Sequence, residues 1–351
     1  MTKRHDQRRH HRRRRRRTAL VTVALAATLG VTTAACGRAP ANSAAPAPAT
    51  SSQHAATTKA PATPKPTAKA TTASPSTPST AAAQRLPIGL YTPGEAGSWA
   101  KVAAFGKQVG QPVRYVVDYL GPTDPFPAQL AEQAAANGAE LVLQLEPTMS
   151  MSSVAAGDDD SYLDSLAAQV ANFGQPVILS WAAEANGNWY QYGATRTPAS
   201  EYRAAWAHVM SRFSGVHNVT WMDTLNRTYD GAGVTSDYVV PGVQMYGIDA
   251  YYSYPGDTFE SVFGETLSQI RAVTDKPILV NETGIGQVNN QVRAIPGLVQ
   301  GVLANHLAGL IYFNENQGVA SLYHQNWALT PAGLKALRDS LASVNGSSAT
   351  P

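Results

Sequence analysis

The chain has 351 residues, with 27 Lys+Arg against 24 Asp+Glu, a single cysteine and 44% hydrophobic residues. One cysteine excludes an intramolecular disulfide, so any folded part must be held by its core, for which the length suffices. The net charge of +3 hides two unlike segments: residues 1–35 hold 10 basic and 1 acidic side chains, leaving 17 basic against 23 acidic in residues 36–351, a net of −6 that excludes an electrostatic footprint for nucleic acid.

In chain order, the basic run Arg12–Arg17 leads into a mostly apolar stretch, 19–31, too short for a transmembrane helix of roughly 20 residues. A basic start, a short apolar core and small residues before a break predict a signal peptide over 1–35. Thr33-Ala34-Ala35-Cys36 resembles the bacterial lipobox, with Thr33 where leucine is usual. The expectation is a lipoprotein-type signal, lipidation at Cys36, and a product that is exported and either anchored at the cell membrane or extracellular. Arg16-Arg17 also suits twin-arginine export. Residues 36–84 are almost entirely Ala, Pro, Thr and Ser. Such a segment buries too little apolar area to offset its ordering entropy, which predicts a disordered tether.

From Leu86 the composition becomes globular. Eight apolar runs read as strands: 87–91, 112–120, 139–147, 176–184, 218–224, 242–252, 277–282 and 307–315. Amphipathic stretches read as helices at 98–109, 126–138, 161–174, 199–215, 259–274, 294–306 and 330–344. Only the link 225–241 is irregular. Pro198, Pro296 and Pro331 are expected near helix starts, and Gly138, Gly174 and Gly215 just past helix ends in the left-handed conformation. Alternating βα units imply a parallel sheet, and eight of them imply an α/β fold of the (β/α)8 TIM-barrel type over residues 85–345 as a single catalytic domain. The first turn, TPGEAG (92–97), matches no nucleotide-binding pattern, so an open nucleotide-binding sheet is the weaker option.

Chemistry in such a barrel sits at the C-terminal strand ends. Asp118, Glu146, Glu184, Asp223, Asp249, Glu282 and Glu315 all lie at or near those ends, which predicts an acidic mouth. Most of these acids, Asp118 and Glu315 above all, are expected to be scaffold paired with Arg114, Arg227 or Lys101. Two stretches stand out. PVILSWAAEANGNWYQYG (176–193) ends an apolar run on Glu184 and continues into Trp189, Tyr190 and Tyr192; KPILVNETGIG (276–286) ends another on Glu282. Paired carboxylates with aromatic neighbours suit glycoside cleavage, because one acid protonates the leaving oxygen, the other attacks or activates water, and flat rings stack on sugars. Alternation along the strands puts Ala182, Ser180 and Ile178 on the side of Glu184, and Val280 and Ile278 on the side of Glu282.

Strand counting places Glu184 on the fourth strand and Glu282 on the seventh. In that order the chain resembles glycoside hydrolase family 26, the β-mannanase family. The resemblance is carried by Glu184-Ala185-Asn186-Gly187-Asn188-Trp189, Leu145-Glu146-Pro147, Gly247-Ile248-Asp249-Ala250-Tyr251 and Glu282-Thr283-Gly284, and it covers residues 86–343. It implies a retaining endo-glycosidase acting on β-linked polysaccharide, β-1,4-mannan foremost. Glu184 would be the acid/base, its pKa held high enough to carry a proton, and Glu282 the ionised nucleophile. Tyr251 would hydrogen-bond the nucleophile, Asp249 would support it and Trp189 would stack on a sugar. Tyr190, Asn186, Glu146 and Trp327 complete the expected substrate contacts. One departure stands beside the match: Ala183 occupies the place of the family's histidine, and Ser180-Trp181 replace an Arg-Pro.

No cofactor and no catalytic metal are expected. Asp158-Asp159-Asp160 lacks calcium-loop spacing, and His208, His306 and His324 form no zinc motif. Trp181, Trp206 and Trp221 are expected between barrel and helices. The expected partners are a polysaccharide and, through Cys36, a membrane, with no nucleic acid and a monomeric chain. The alternatives are a non-catalytic glycan-binding lipoprotein on a degenerate hydrolase scaffold, which Ala183 favours, and an adhesion lipoprotein, which the tether favours.

Overall fold

The computed structural model describes residues 85–93, 99–229, 233–317 and 326–347. The expectations for the signal, Cys36 and the linker, and most of the first turn, lie outside the described residues. Eight parallel strands close into one barrel in sequence order: β1 (Ile88–Tyr91), β2 (Tyr115–Leu120), β3 (Glu140–Leu145), β4 (Val177–Trp181), β5 (Val219–Asn226), β6 (Met245–Asp249), β7 (Ile278–Thr283) and β8 (Leu310–Phe313). The ring is closed by β1 on β8, from Ile88↔Leu310 to Tyr91↔Phe313. This is the (β/α)8 barrel expected from the alternating units.

The helices are α1 (Trp99–Val109), α2 (Ala128–Ala136), α3 (Met151–Ala155), α4 (Asp160–Phe173), α5 (Ala199–Arg212), α6 (Glu265–Arg271), α7 (Gln291–Ala304) and α8 (Pro331–Ser347). A π-helical turn, Glu260–Gly264, leads into α6, and a single 3₁₀ turn, Thr235–Tyr238, stands in the irregular link after β5. The short α3, capped by the Ser150 hydroxyl, has no counterpart among the expected helices, because one turn is too short to show a period. Helix α7 begins at Gln291, capped by Asn290, so Pro296 lies inside the helix and not at its start. Gly138 and Gly174 do take positive φ, 73° and 70°. Gly215 does not, because α5 ends earlier at Phe213, whose N–H bonds the Met210 carbonyl.

Side chains of alternate parity make two cores. Tyr115, Val117, Val142, Ile178, Met222, Met245, Leu279 and Ile311 fill the barrel. The other face of each strand joins the helices in a larger cluster. In it the buried Trp206 of α5 meets Trp181 and Trp221 edge-on, each at a centroid distance of 5.7 Å, the packing the sequence suggested. Gly89 is dictated by the inner layer: a Cβ there would lie 2.6 Å from Ile311 Cγ1 and 2.8 Å from Tyr115 Cβ.

Parity also sorts the strand-end acids. Asp118 follows inward Val117 and turns outward, taking the N–H of Tyr119. Burial, with Asp124 nearby, pushes its carboxyl up to about 6. Asp223, next to inward Met222, also faces the helices; it accepts the Tyr202 hydroxyl at 3.0 Å and the Val240 N–H at 2.9 Å. Complete burial raises it to about 7. These two acids therefore do not belong to the mouth. The expected cations are engaged elsewhere: Arg114 pairs with Glu140, Arg227 approaches Asp257, and Lys101 donates to the Pro93 carbonyl.

Candidate active site

Strand β4 stops at Trp181, and the chain leaves the sheet through two non-glycine residues of positive φ, Ala182 (48°) and Glu184 (63°). Each such residue costs roughly 1–3 kcal/mol and persists only where its surroundings impose it. Here they do. The Glu184 N–H bonds the Thr224 carbonyl at 2.7 Å, and its own carbonyl takes the Gly187 N–H at 2.9 Å. Its buried carboxylate accepts Asn226 Nδ2 on Oε1 at 2.6 Å and Trp189 Nε1 on Oε2 at 3.0 Å. Trp189 is stacked on Tyr229, and its ring lies over Gly187, where a Cβ would come within 2.4 Å of Cη2.

Glu282 is aimed by a defect in β7. Pairing with β6 advances from Ile248↔Val280 to Asp249↔Glu282, and pairing with β8 from Val280↔Leu310 to Thr283↔Tyr312, so β7 carries one extra residue against both neighbours. Such a bulge turns a side chain out of the regular alternation. As a result Leu279 faces the barrel interior, while Ile278 and Val280 pack toward the helices. Simple alternation had placed Ile278 and Val280 on the side of Glu282; the bulge is why that fails. Beyond it, Asn281 donates to Asp249 Oδ1 at 2.8 Å, and Glu282 meets three donors from across the mouth. Tyr251 O–H donates to Oε2 at 2.5 Å, and Gln144 Nε2 donates to Oε1 at 3.1 Å. The Tyr119 hydroxyl, which follows Val117 on the inward side of β2, donates to the same oxygen, Oε1.

The remaining expected site residues fall into distinct places. Glu146, one step past β3, accepts the Tyr190 hydroxyl at 2.8 Å, and the Tyr190 ring stacks on Tyr192 at 4.7 Å. Trp327 packs on Tyr251 at 4.6 Å, with its N–H on Gln317. Trp189, Tyr190 and Trp327 are at most 9% exposed, so all three hold other site residues in place and present little open ring. Asn186 is corrected outright. It is fully buried, and its amide grips the backbone of Asn226, Nδ2 to the carbonyl and Oδ1 from the N–H, both at 2.8 Å, which leaves it no face toward a substrate. Ala183 is buried, and its carbonyl takes the Tyr192 hydroxyl.

Sequence reasoning missed Tyr119, Gln144 and Asn226. A signal existed for one: Gln144 is the one polar residue in the otherwise apolar run from Leu141 to Leu145, at an inward position. Among the described residues no group of three His, Cys, Asp or Glu side chains is placed to hold a metal ion.

No protein-family model matches the sequence. Endoglucanase H of Acetivibrio thermocellus is 24% identical over 280 residues, which is 73% of this chain but only 30% of that protein's length. Among solved structures, the catalytic domain of the GH26 endo-β-1,4-mannanase of Bacillus sp. JAMB-750 superposes with a TM-score of 0.56 at 18% identity, covering 74% of this chain and 86% of that one. The modular endo-β-1,4-mannanase of Cellulomonas fimi gives 0.56 at 16% identity, covering 74% and 71%. A family 39 glycoside hydrolase from Bacteroides cellulosilyticus gives 0.52 at 11%, covering 75% and 64%. These likenesses share the barrel fold.

Proposed function

We propose that this protein is a retaining β-glycoside hydrolase in which Glu184 is the acid/base and Glu282 the nucleophile. One observation carries the proposal: two buried carboxylates, just past β4 and at the end of β7, are each held by hydrogen-bond donors at the mouth of the barrel. Glu282 accepts from three donors, which favour its ionised form as a nucleophile requires. Glu184 is held by one N–H donor on each oxygen, Asn226 Nδ2 and Trp189 Nε1, which fix its carboxyl group beside the aromatic loop where a leaving oxygen would be protonated. In the first step Glu184 protonates the glycosidic oxygen while Glu282 attacks the anomeric carbon; the C–O bond breaks, and a glycosyl ester forms on Glu282. In the second step Glu184 takes a proton from water, which displaces Glu282 and restores both groups. Tyr251, Gln144 and Tyr119 would stabilise the carboxylate that leaves.

For the substrate we propose a β-1,4-linked polysaccharide, mannan foremost, since mannanases are the recurrent structural neighbours. Glucan is the second reading, because the curated relative is named an endoglucanase. Ala183, where the resembled family has histidine, supports a non-catalytic glycan binder instead. Reducing-sugar release from mannan, mixed-linkage glucan and xylan, by wild type and by Glu184→Ala and Glu282→Ala, decides among them. Both variants should lose hydrolysis, and with activated substrates and azide Glu184→Ala should form the β-glycosyl azide, by retention, and Glu282→Ala the α-glycosyl azide, by inversion. Full activity in either variant refutes the assignment, and glycan binding without release establishes the binder. We further propose export through residues 1–35 with lipid attachment at Cys36; fatty-acid labelling that persists in Cys36→Ser would exclude it.

A further inference from the structure

We propose that Asn226 is a positioning residue for Glu184, holding the acid in the geometry that protonates the leaving group. This inference rests on the glycosidase reading above and names a residue that neither the strand motifs nor the resemblance singled out.

The argument begins with unequal strand lengths. β4 ends at Trp181, and its last recorded pair with β5 is Leu179↔Trp221, whereas β5 continues to Asn226. The chain carrying Glu184 therefore runs beside the free end of β5 without regular pairing. Two substitutes hold it there. The Glu184 N–H bonds the Thr224 carbonyl, and two residues further on the Asn186 amide bonds both the N–H and the carbonyl of Asn226, standing in for a strand partner. The Asn186 carbonyl in turn takes the Gly233 N–H at 2.7 Å. Glu184 thus sits between two anchor points on one strand.

Asn226 lies at the inward parity of β5, after Met222 in the barrel interior and Thr224, whose hydroxyl takes that of Ser180. All its ties to Asn186 pass through its backbone, which alanine would offer equally. What the side chain adds is the Nδ2 donor to Glu184 Oε1 at 2.6 Å. The other end of the amide, Oδ1, is buried without a protein partner. A buried acceptor left unpaired is unfavourable. An amide at this position is thus poorly explained by folding and well explained by the carboxylate it faces. With Trp189 on the other oxygen, two donors fix the carboxyl group's plane as well as its place. A general acid needs that constraint, because proton transfer falls off with misalignment of the donor and the leaving oxygen.

The test is the dependence of kcat/KM on the leaving group, which reports whether protonation is impaired. Wild type, Asn226→Ala, the near-isosteric Asn226→Leu and Glu184→Ala are compared on dinitrophenyl and phenyl β-mannobiosides and β-cellobiosides. Dinitrophenolate departs without protonation, whereas phenolate needs it. Both Asn226 variants should lose roughly 10- to 100-fold on the phenyl substrates, the worth of one hydrogen bond to a charged group, and far less on the dinitrophenyl ones. Glu184→Ala should show the same pattern more steeply. Equal losses on both leaving groups, or no loss, would overturn the positioning role while leaving the acid/base assignment intact, provided Glu184→Ala still discriminates. If wild type cleaves neither, or Glu184→Ala does not discriminate, the glycosidase reading falls and this inference with it. Should Asn226→Ala melt early, Asn226→Leu carries the test, since it keeps size and burial, removes the donor and adds no charge beside Glu184.

Discussion

Replacing Asp223 by asparagine tests the separation of scaffold acids from mouth acids. Asp223 is fully buried on the outer face of β5, with one oxygen on the Tyr202 hydroxyl and the other on the Val240 N–H. Burial lifts its pKa from the ordinary 3.8 to about 7. The folded state then keeps a proton that the unfolded chain releases, so stability present below the unfolded value is lost as pH rises through about 7. Over the whole range that loss approaches about 4 kcal/mol, at about 1.4 kcal/mol per tenfold change in proton affinity. Roughly 2–3 kcal/mol of it falls between about pH 5 and about pH 8. Asparagine has no such titration and fits the site. Its Oδ1 can accept from Val240 and its amide can donate to the Tyr202 oxygen, whose proton turns to the Ala182 carbonyl 3.4 Å away. Urea unfolding of both proteins across this range should give a difference, variant minus wild type, that rises by roughly 2–3 kcal/mol with pH. A flat difference curve would show that the carboxyl is not desolvated as described, and a falling one would reveal a cationic partner. Polysaccharide hydrolysis should survive Asp223→Asn within about twofold, because the side chain faces away from the mouth; its loss would return Asp223 to the site.

Two further outcomes are expected. Tyr251→Phe removes one of the donors on Glu282 and should lower kcat/KM by roughly 10- to 100-fold with the melting temperature little changed; an unchanged rate would deny the hydroxyl a role in the reaction. Gly187→Ala places a methyl 2.4 Å from the Trp189 ring, which must shift the indole off Glu184; thermal unfolding should show a loss of about 1–3 kcal/mol, with a fall in hydrolysis, and a variant as stable and active as wild type would contradict the packing.

Much of this was legible in residue order. A core-facing strand needs a short apolar run and a surface helix an amphipathic one, so eight of the former alternating with the latter disclosed the barrel, and Glu184 and Glu282 could be placed at strand ends by counting. What residue order did not disclose was which way those ends point. Asp118 and Asp223 both sit near strand ends, and only the parity set by Val117 and Met222 shows that both turn toward the helices, as expected of a scaffold acid for Asp118. Glu282 would have dragged Val280 and Ile278 into the barrel by plain alternation; the extra residue in β7 is a relation between three strands and has no mark in one.

The sequence by itself thus determined the number and order of the strands and the place of Glu184 and Glu282 at strand ends, since both follow from local hydrophobic period and from position along one strand. The tertiary structure alone decided their partners. Tyr119, Gln144 and Tyr251 reach Glu282 from β2, β3 and the loop after β6, and Asn226 reaches Glu184 from the neighbouring strand. Those hydrogen bonds join residues between 31 and 163 positions apart; pairing of neighbouring strands brings Asn226 and Tyr251 to their acids, and closure of the barrel brings Tyr119 and Gln144 to Glu282.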